Sequence, residues 1–440
     1  MSDTADEDGD GESETGTERT RRRYLKQGSA VIAGSLVAGC TSDGGTETRA
    51  ATESGTATGS PTAAETDDSA DDGTTSATGE TDARTATNAG GGYEACIEPV
   101  GCRTFEEVPE TYVVNNGEWA DMAFALGQRD GFLTGANMIP GFLFEPFGLD
   151  VPPEDETTSL STTDWDKERF YELDPDVILM DPNYMHKTGW DDSWDESDTA
   201  EVRENVAPFF GNNVLRRREW HDYRLYTLYE ALDRLADLFG ERERYEALAA
   251  VHASVQEEVQ SRLPPADERP EIGLINSASD PNEGTFYPMH TQVEGVEMKP
   301  YRDLDVGSAF SADLVEGGTI DYEQLLEVDP DILVVHWGIG TTGDSTSFSA
   351  EAFRERYVAP LEADSVGSQL TAVREGRVYP GAFGSQGPLV NLLQTELVAQ
   401  QLYPDEFGGF DAERFPKIAE EHRLFDRQRV RDIVDGAIES

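Results

Sequence analysis

An apolar strand motif that occurs twice constrains the fold of this chain more than any other feature. Residues 173–180 read LDPDVILM, and residues 328–335, which lie 155 positions later, read VDPDILVV. In each copy a stretch of helical character precedes an Asp-Pro pair, which ends a helix because proline restricts the residue before it and lacks an amide hydrogen. The apolar run that follows does not alternate with polar residues, as is typical of strands buried in parallel sheets. The repeat therefore predicts an α/β fold with two Rossmann-like lobes.

Each predicted lobe opens with a strand-like stretch, residues 111–115 in the first and residues 271–276 in the second. A helix-like stretch at residues 119–126 follows the first strand and ends at Gly127, a residue type that favours helix ends. These signals agree with the division into two lobes.

The region between the lobes is helical in character. Leucines recur there at three- and four-residue steps, and two prolines end the region. A helix over residues 223–239 would be about 25 Å long and could join the lobes, although the same stripe also fits simple core packing. The predicted organisation is an export signal at 1–40, a tether at 41–92, a first lobe at 93–222, a helical bridge at 223–263 and a second lobe at 264–440.

The N-terminal residues have the order of an export signal. Arg21 and Arg22 precede an aromatic residue, a leucine and a lysine, and the apolar stretch at 28–39 is too short to cross a bilayer. The paired arginines resemble a twin-arginine signal, and the small residues before Cys40 resemble a lipobox. We therefore predict a protein held by a lipid on Cys40 at the extracellular face of the cell membrane.

Residues 41–92 contain no Val, Ile, Leu, Met, Phe, Tyr or Trp, and consist almost wholly of Thr, Gly, Ala, Ser, Asp and Glu. Such a composition cannot bury enough apolar surface to offset the entropy of ordering, so we predict a flexible tether. Its typical reach would be on the order of 40 Å.

The formal charge of −54 is spread over the chain, with 34 basic residues against 88 acidic ones. Self-repulsion of this size destabilises a compact state in dilute salt and is screened in molar salt, which points to an extreme halophile. The charge also argues against nucleic-acid binding, since phosphate contacts need Lys and Arg. Calcium binding is the alternative for the carboxylates, but no calcium-loop pattern is present.

Cys96 and Cys102 are the two cysteines apart from the lipid site, and they stand six positions apart at the start of the folded region. Outside the reducing cytosol a local disulfide is the expected state. A metal site is the weaker alternative, because no second pair of ligands follows at zinc spacing.

Several stretches together resemble the substrate-binding lipoproteins of ABC importers, in the class with a rigid helix between two lobes that handles iron-siderophores, haem and cobalamin. They are WADMAFALG at 119–127, the two Asp-Pro-Asp strands, VREGRVY at 373–379 and the closing helix at 391–402. The resemblance implies a monomer with a shallow cleft, no cofactor, and delivery of solute to a permease driven by an ATPase. One departure is the turn at 115–118, where the class usually has serines, so no ligand contacts are inferred there.

Ligands of open α/β sheets bind beyond the carboxyl ends of the strands, so we expect the cleft in the loops at 181–190 and 336–340. Aromatic residues there suit a bulky, partly apolar chelate, and an arginine suits its carboxylate or catecholate oxygens. The predicted ligand-binding residues are Tyr184, Trp190, Tyr287, Arg302, His336 and Trp337. Packing under the loops is the alternative role for each aromatic.

The preferred ligand is an iron(III)-siderophore, with cobalamin or haem as the alternative. A bare zinc or manganese ion is a further alternative, because His186, His290 and His336 all fall in the predicted cleft loops and imidazole commonly binds metals. An enzyme is not expected, since hydrolase, phosphate-loop and zinc-protease motifs are missing from the sequence. A cell-surface hydrolase is thus the remote alternative.

Overall fold

The structure is a computed structural model that describes residues 92–136, 138–151, 160–344 and 347–438. The predicted export signal, the Cys40 lipid site and nearly all of the tether lie outside these residues. In the part of the chain that the structure describes, no helix is both long and apolar enough to cross a membrane.

The first lobe contains a three-stranded parallel sheet with the order β4-β3-β5. A hairpin precedes the sheet and joins Cys96 to Cys102, which face each other across its two strands, through a disulfide. The strands of this half are β1 (Tyr93–Ile97), β2 (Gly101–Phe105), β3 (Tyr112–Val114), β4 (Phe132–Gly135) and β5 (Val177–Leu179).

The second lobe contains a five-stranded sheet with the order β12-β9-β6-β7, and β8 also pairs with β6. The neighbours β12, β9, β6 and β8 are parallel, whereas β7 runs antiparallel to β6. The strands are β6 (Glu271–Asn276), β7 (Pro288–Met289), β8 (Gly307–Ser308), β9 (Ile332–His336) and β12 (Val378–Pro380), with a separate pair formed by β10 (Gly343–Asp344) and β11 (Ser347–Phe348).

Helices cover the sheets and link the lobes. In the first half they are α1 (Gly117–Ala125), α2 (Lys167–Leu173), α3 (Pro182–Lys187), α4 (Glu196–Asn205), α5 (Leu228–Phe239) and α6 (Arg242–Arg262). In the second half they are α7 (Lys299–Asp303), α8 (Ala312–Glu316), α9 (Tyr322–Val328), α10 (Gly338–Thr341), α11 (Ala350–Phe353), α12 (Ala359–Ala363), α13 (Thr371–Arg374), α14 (Pro388–Leu402), α15 (Pro404–Phe407) and α16 (Arg427–Val434).

The repeated Asp-Pro-Asp motif forms the same structure in both lobes, as predicted. Helices α2 and α9 end immediately before Asp174 and Asp329, whose φ angles of 45° and 43° place them in the left-handed region. This conformation ends a helix, and aspartate tolerates it better than most residues other than glycine. The strands that follow, β5 and β9, are buried along their whole length. The two-lobed α/β fold is therefore confirmed.

The predicted helix at 223–239 is wrong in its bounds. Helix α5 begins at Leu228, because Thr227 caps it with a side chain that accepts from the Glu230 amide while Glu230 bonds back to the Thr227 amide. Its apolar stripe is buried in the core. The helix therefore has 12 residues, and residues 223–227 before it are not helical.

The connection between the lobes is made by the next helix, α6, which has 21 residues and a length of about 30 Å. Near its start, Arg244 donates to the carbonyl oxygen of Leu126 in the first lobe at 3.3 Å. Near its end, Gln260 donates to the carbonyl oxygen of Asp303 in the second lobe at 3.0 Å. The lobe boundaries at 222 and 264 stay a prediction.

Polar contacts also join the lobes directly. The buried carboxylate of Asp121 accepts from the amides of Leu389 and Val390 at 3.2 and 3.0 Å, at the start of α14. The positive end of that helix favours a carboxylate there. Burial raises the pKa of Asp121 to about 7, although these amide hydrogen bonds oppose the rise. Farther along, the backbone amide of Val296 donates to the carbonyl oxygen of Val214 at 2.9 Å.

Candidate ligand-binding cleft

The chain leaves β5 at the predicted cleft and turns into a helix. Residues 181–190 were expected to form a loop, but the Asp181 side chain accepts from the Asn183 amide at 2.9 Å and caps α3. Tyr184 is therefore fixed on a helix and is only 1% exposed. Its ring meets Trp190 edge to face, with centroids 5.3 Å apart. The two predicted aromatics of the first lobe thus form one cluster, with Trp190 as its partly exposed member.

At the end of β9, His336 and Trp337 lie in different environments. His336 is 0% exposed, so it lies beneath the cleft surface, while Trp337 is partly exposed. Trp337 has a φ of 69°, which turns the chain sharply as it leaves the strand and enters α10. Its ring packs against Phe383 with centroids 4.6 Å apart.

A buried glutamate connects these residues to the first lobe. Oε1 of Glu297 accepts from Nε1 of Trp337 at 3.2 Å and from Nη2 of Arg216 at 2.5 Å. Nε2 of His336 lies 3.4 Å from the same oxygen, a contact that does not have hydrogen-bond geometry. One carboxylate oxygen therefore fixes the orientation of Trp337 and ties it to an arginine of the other lobe.

The Glu297 side chain is ionised despite its burial. Burial alone would raise its pKa, but the charge of Arg216 and the neighbouring His336 and Trp337 outweigh it and lower the pKa to about 2. Burial lowers the pKa of His336, so this ring is neutral, while its Nδ1 lies 3.3 Å from the Tyr301 hydroxyl. The charged pair at the base of the cleft is therefore Arg216 with Glu297.

Arg218 is the cation that faces the first-lobe aromatics. Its guanidinium carbon lies 5.5 Å from the ring centroid of Trp190, within the range of a cation–π contact. Among the described residues no carboxylate lies within 4 Å of this guanidinium, and its Nε is buried without a hydrogen-bond partner. Burial lowers the pKa of Arg218, and the charge of Arg216 adds to that, while Tyr184 and Glu297 act in the other direction.

The charges of Tyr184 and Glu297 both act on the pKa of Arg218. Sequence reasoning did not select Arg218 or Glu297. The run of three arginines at 216–218 was an available signal, because basic residues are scarce in this chain. Glu297 had no such signal, since it is one of 88 acidic residues.

The remaining predicted ligand residues lie in the second lobe. Tyr287 is partly exposed beside β7, which pairs with the carboxyl end of β6, and its backbone amide donates to the Ser279 hydroxyl oxygen at 3.0 Å. Arg302 is already engaged, because its two terminal nitrogens donate to the carbonyl oxygens of Val293 and Gly295. These hydrogen bonds hold the backbone of the same segment in which Glu294 and Glu297 pair with Arg217 and Arg216 of the first lobe.

The three histidines considered as metal ligands are not brought together. His186 Nδ1 lies 3.1 Å from the Thr199 hydroxyl, His290 Nδ1 accepts from the Gln292 amide, and His336 is buried beside Glu297. Over the described ranges, the one group with metal-ligand spacing is Glu94 with Cys96 and Cys102. Those two sulfurs form the disulfide. Among the described residues the three histidines therefore do not form a group with metal-ligand spacing.

The two lobes, the long connecting helix and the aromatic cleft define a solute-binding protein of the two-lobed type. A sequence model of the periplasmic binding protein family matches residues 145–381, more than half of the 440-residue chain. The chain belongs to this family of binding proteins. No curated protein sequence matches it.

Solved structures of similar shape come from several bacteria. The iron uptake ABC transporter substrate-binding protein PiuA from Streptococcus pneumoniae is 18% identical over 70% of this chain and 98% of its own, with a TM-score of 0.47. The Ni(II)-bound protein CeuE from Helicobacter pylori is 10% identical over 72% and 91%, with a TM-score of 0.47. The triscatecholate siderophore-binding protein FeuA from Bacillus subtilis is 17% identical over 75% and 93%, with a TM-score of 0.40.

Proposed function

We propose that this protein is the extracytoplasmic solute-binding component of an ABC importer and that it captures an anionic iron(III)-siderophore. It delivers the complex to a membrane permease that a cytoplasmic ATPase drives. Family membership supports the binding role, and the chemistry of the cleft supports the ligand class.

The observation that supports the ligand class is the Arg218 guanidinium over Trp190, which has no carboxylate within 4 Å among the described residues. In so acidic a chain, a partly buried cation without a carboxylate partner is available to an anion from outside. A ferric catecholate or carboxylate complex supplies negatively charged oxygens for the guanidinium and apolar surface for the rings. Trp337, held by Glu297, supplies a second aromatic surface from the other lobe.

Cobalamin and haem are the other ligands that large aromatic surfaces suit, and haem carboxylates could also meet Arg218. A bare metal ion has no support from the described histidines. The ligand of this proposal binds through the protein's aromatic and cationic groups, without a metal–protein bond.

We further propose that the protein works outside the cytoplasm of a halophile. The twin arginines at 21 and 22 direct its export, and a lipid on Cys40 attaches it to the membrane. A tether of about 50 residues would keep the lobes near their permease at an effective concentration on the millimolar scale.

Native mass spectrometry of the protein, purified in high salt from its own cells, identifies the class of the bound ligand. A bound iron chelate supports the proposal, whereas a bound corrinoid or haem shows that one of these is the ligand instead. Affinity is then measured by tryptophan quenching with a ferric triscatecholate. We expect Arg218→Gln and Trp337→Ala each to weaken binding about tenfold or more.

Arg217→Gln is the matched control, because Arg217 is the next residue and forms an exposed pair with Glu294. It should change the affinity less than about threefold. Equal affinities for wild type, Arg218→Gln and Trp337→Ala would show that the ligand binds elsewhere.

A further inference from the structure

A second concave site lies on the first lobe. Its cavity of about 280 Å³ lies between the hairpin, α3, the end of α4 and the chain just before α5. It is lined by Pro99, Val100, Arg103, Pro182, Asn183, Lys187, Arg203, Phe209, Asp222 and Tyr223. The cavity shares helix α3 with the predicted cleft, but the second lobe contributes none of its lining residues, and neither Trp190 nor Arg218 is among them. The cavity is therefore distinct from the cleft between the lobes.

The lining of this cavity is basic in an otherwise acidic protein. Arg103, Lys187 and Arg203 face one carboxylate, that of Asp222. The whole chain has only 34 basic residues against 88 acidic ones, and Lys187 is one of five lysines. Three cations on one cavity of this chain run against its overall charge.

Within the part of the chain that the structure describes, these three cations also lack a carboxylate partner. Lys167 and Lys299 bind carboxylates closely, Lys167 with Asp198 and Glu201 at 2.8 Å and Lys299 with Asp303 at 2.6 Å. Across the described ranges, by contrast, no carboxylate lies within 4 Å of the charged groups of Arg103, Lys187 or Arg203. The Nε of Arg103 is moreover buried without a hydrogen-bond partner. Leaving a buried donor unsatisfied costs free energy, and an anion in the cavity would offset that cost.

Asp181, a buried acid next to the lining residue Pro182, is engaged by other groups. The Asp181 carboxylate accepts from the Tyr223 hydroxyl, from the Asn183 side chain at 3.1 Å and from the Asn213 amide at 3.0 Å. These bonds fix Tyr223 and Asn183 as a rigid polar wall. The positive charge of the three cations is therefore left for a ligand.

We propose that this cavity binds a small polyvalent oxyanion, independently of the cleft. Guanidinium groups bind two oxygens of such an anion at once, and the Lys187 ammonium adds a third charge. Sulfate, phosphate and a di- or tricarboxylate share this chemistry. The cavity is large enough for any of them.

The test is isothermal titration of the intact protein, at constant molar potassium chloride, with sulfate, phosphate and citrate as the probes. We expect saturable one-to-one binding of at least one of them. The probe that binds most tightly identifies the chemical class of the oxyanion. Lys187→Gln and Arg203→Gln should each weaken it about tenfold. Arg129→Gln removes the same charge from a short helix of the same lobe and should leave the affinity unchanged.

Three results would overturn the proposal: no binding of any probe to the wild-type protein, unchanged affinity in both cavity variants, or an equal loss in Arg129→Gln. A loss in the cleft variant Arg218→Gln as large as in Lys187→Gln would place the anion in the cleft instead. Unfolding midpoints of all variants, measured in the same salt, separate lost binding from lost folding. If the siderophore proposal fails while citrate or phosphate still binds, the proposal of an oxyanion site in the cavity remains valid without it.

Discussion

Arg216 and Glu297 form a buried ion pair between the two lobes, with Nη2 of the arginine 2.5 Å from Oε1 of the glutamate. The glutamate side chain is 2% exposed and that of the arginine 19%. Breaking such a pair leaves a charge without its partner in a medium of low dielectric constant, so its loss costs more than its formation contributes.

We predict that Glu297→Gln lowers the free energy of unfolding by about 3 kcal/mol, because Arg216 loses its only close carboxylate among the described residues. Thermal or urea unfolding in molar salt measures the change. Glu294→Gln is the control, since Glu294 pairs with Arg217 in an exposed position and should cost less than about 1 kcal/mol. Equal losses in the two variants would contradict a special role for the buried pair.

His252 predicts a pH dependence of stability. The pKa of His252 is lowered to about 3, first by burial and then by the charge of Lys299. The Nζ atom of Lys299 lies 3.0 Å from Nε2 of the His252 ring. The unfolded chain binds a proton on this ring below about pH 6.5, whereas the folded protein does not until about pH 3. The free energy of unfolding therefore falls as the pH drops through this range, by up to about 1.4 kcal/mol per pH unit.

The measurement compares wild type with His252→Gln between pH 7 and pH 4. The variant lacks this proton uptake, so its stability relative to wild type should rise as the pH falls. A difference between the two proteins that is the same at both pH values would refute the assignment.

The net charge of −54 predicts a strong dependence on salt. The Debye length shortens from about 10 Å at 0.1 M to about 3 Å at 1 M, so the repulsion among carboxylates should be screened and the unfolding midpoint should rise. Sucrose is the control, because it favours the compact state without screening charge. A midpoint that responds equally to sucrose and to sodium chloride would argue against electrostatic repulsion.

The proposed anchor predicts the cellular location of two variants. Cys40→Ser should move the protein from the membrane fraction to the medium, because the tether then ends without a lipid. Replacing both Arg21 and Arg22 with lysine should leave the protein inside the cell. Fractionation and mass spectrometry of the N-terminal peptide test both outcomes, and a Cys40→Ser protein that stays on the membrane would exclude this anchor.

The fold was predictable from the sequence because its signals are local. The Asp-Pro pair ends α2 and α9, and the unbroken apolar runs form β5 and β9. The helix at 223–239 was misplaced because the capping interaction of Thr227 with Glu230 was not recognised. The leucine stripe does not distinguish a core helix from a bridge.

The cleft was predictable only where its residues follow a strand. Trp337 and Tyr184 were chosen in this way, and the cap at Asp181 places Tyr184 on a helix. Their contact with a ligand stays a prediction. Glu297 and Arg218 depend on contacts between distant segments, which composition and spacing do not contain. Arg302 was selected for its charge, whereas its donors are used by the backbone of its own lobe.

The last helix of the chain returns to the first lobe. Phe425 stacks on Phe147 at 6.0 Å, and Arg431 donates to the carbonyl oxygen of Phe147 at 2.7 Å. Phe147 is fully buried, yet Phe425 is synthesised 278 positions after it. Domains usually fold in order as they leave the ribosome, but here the N-terminal lobe keeps an uncovered aromatic surface until synthesis is almost complete. The chain up to Arg431 must therefore be present before the first lobe is completed.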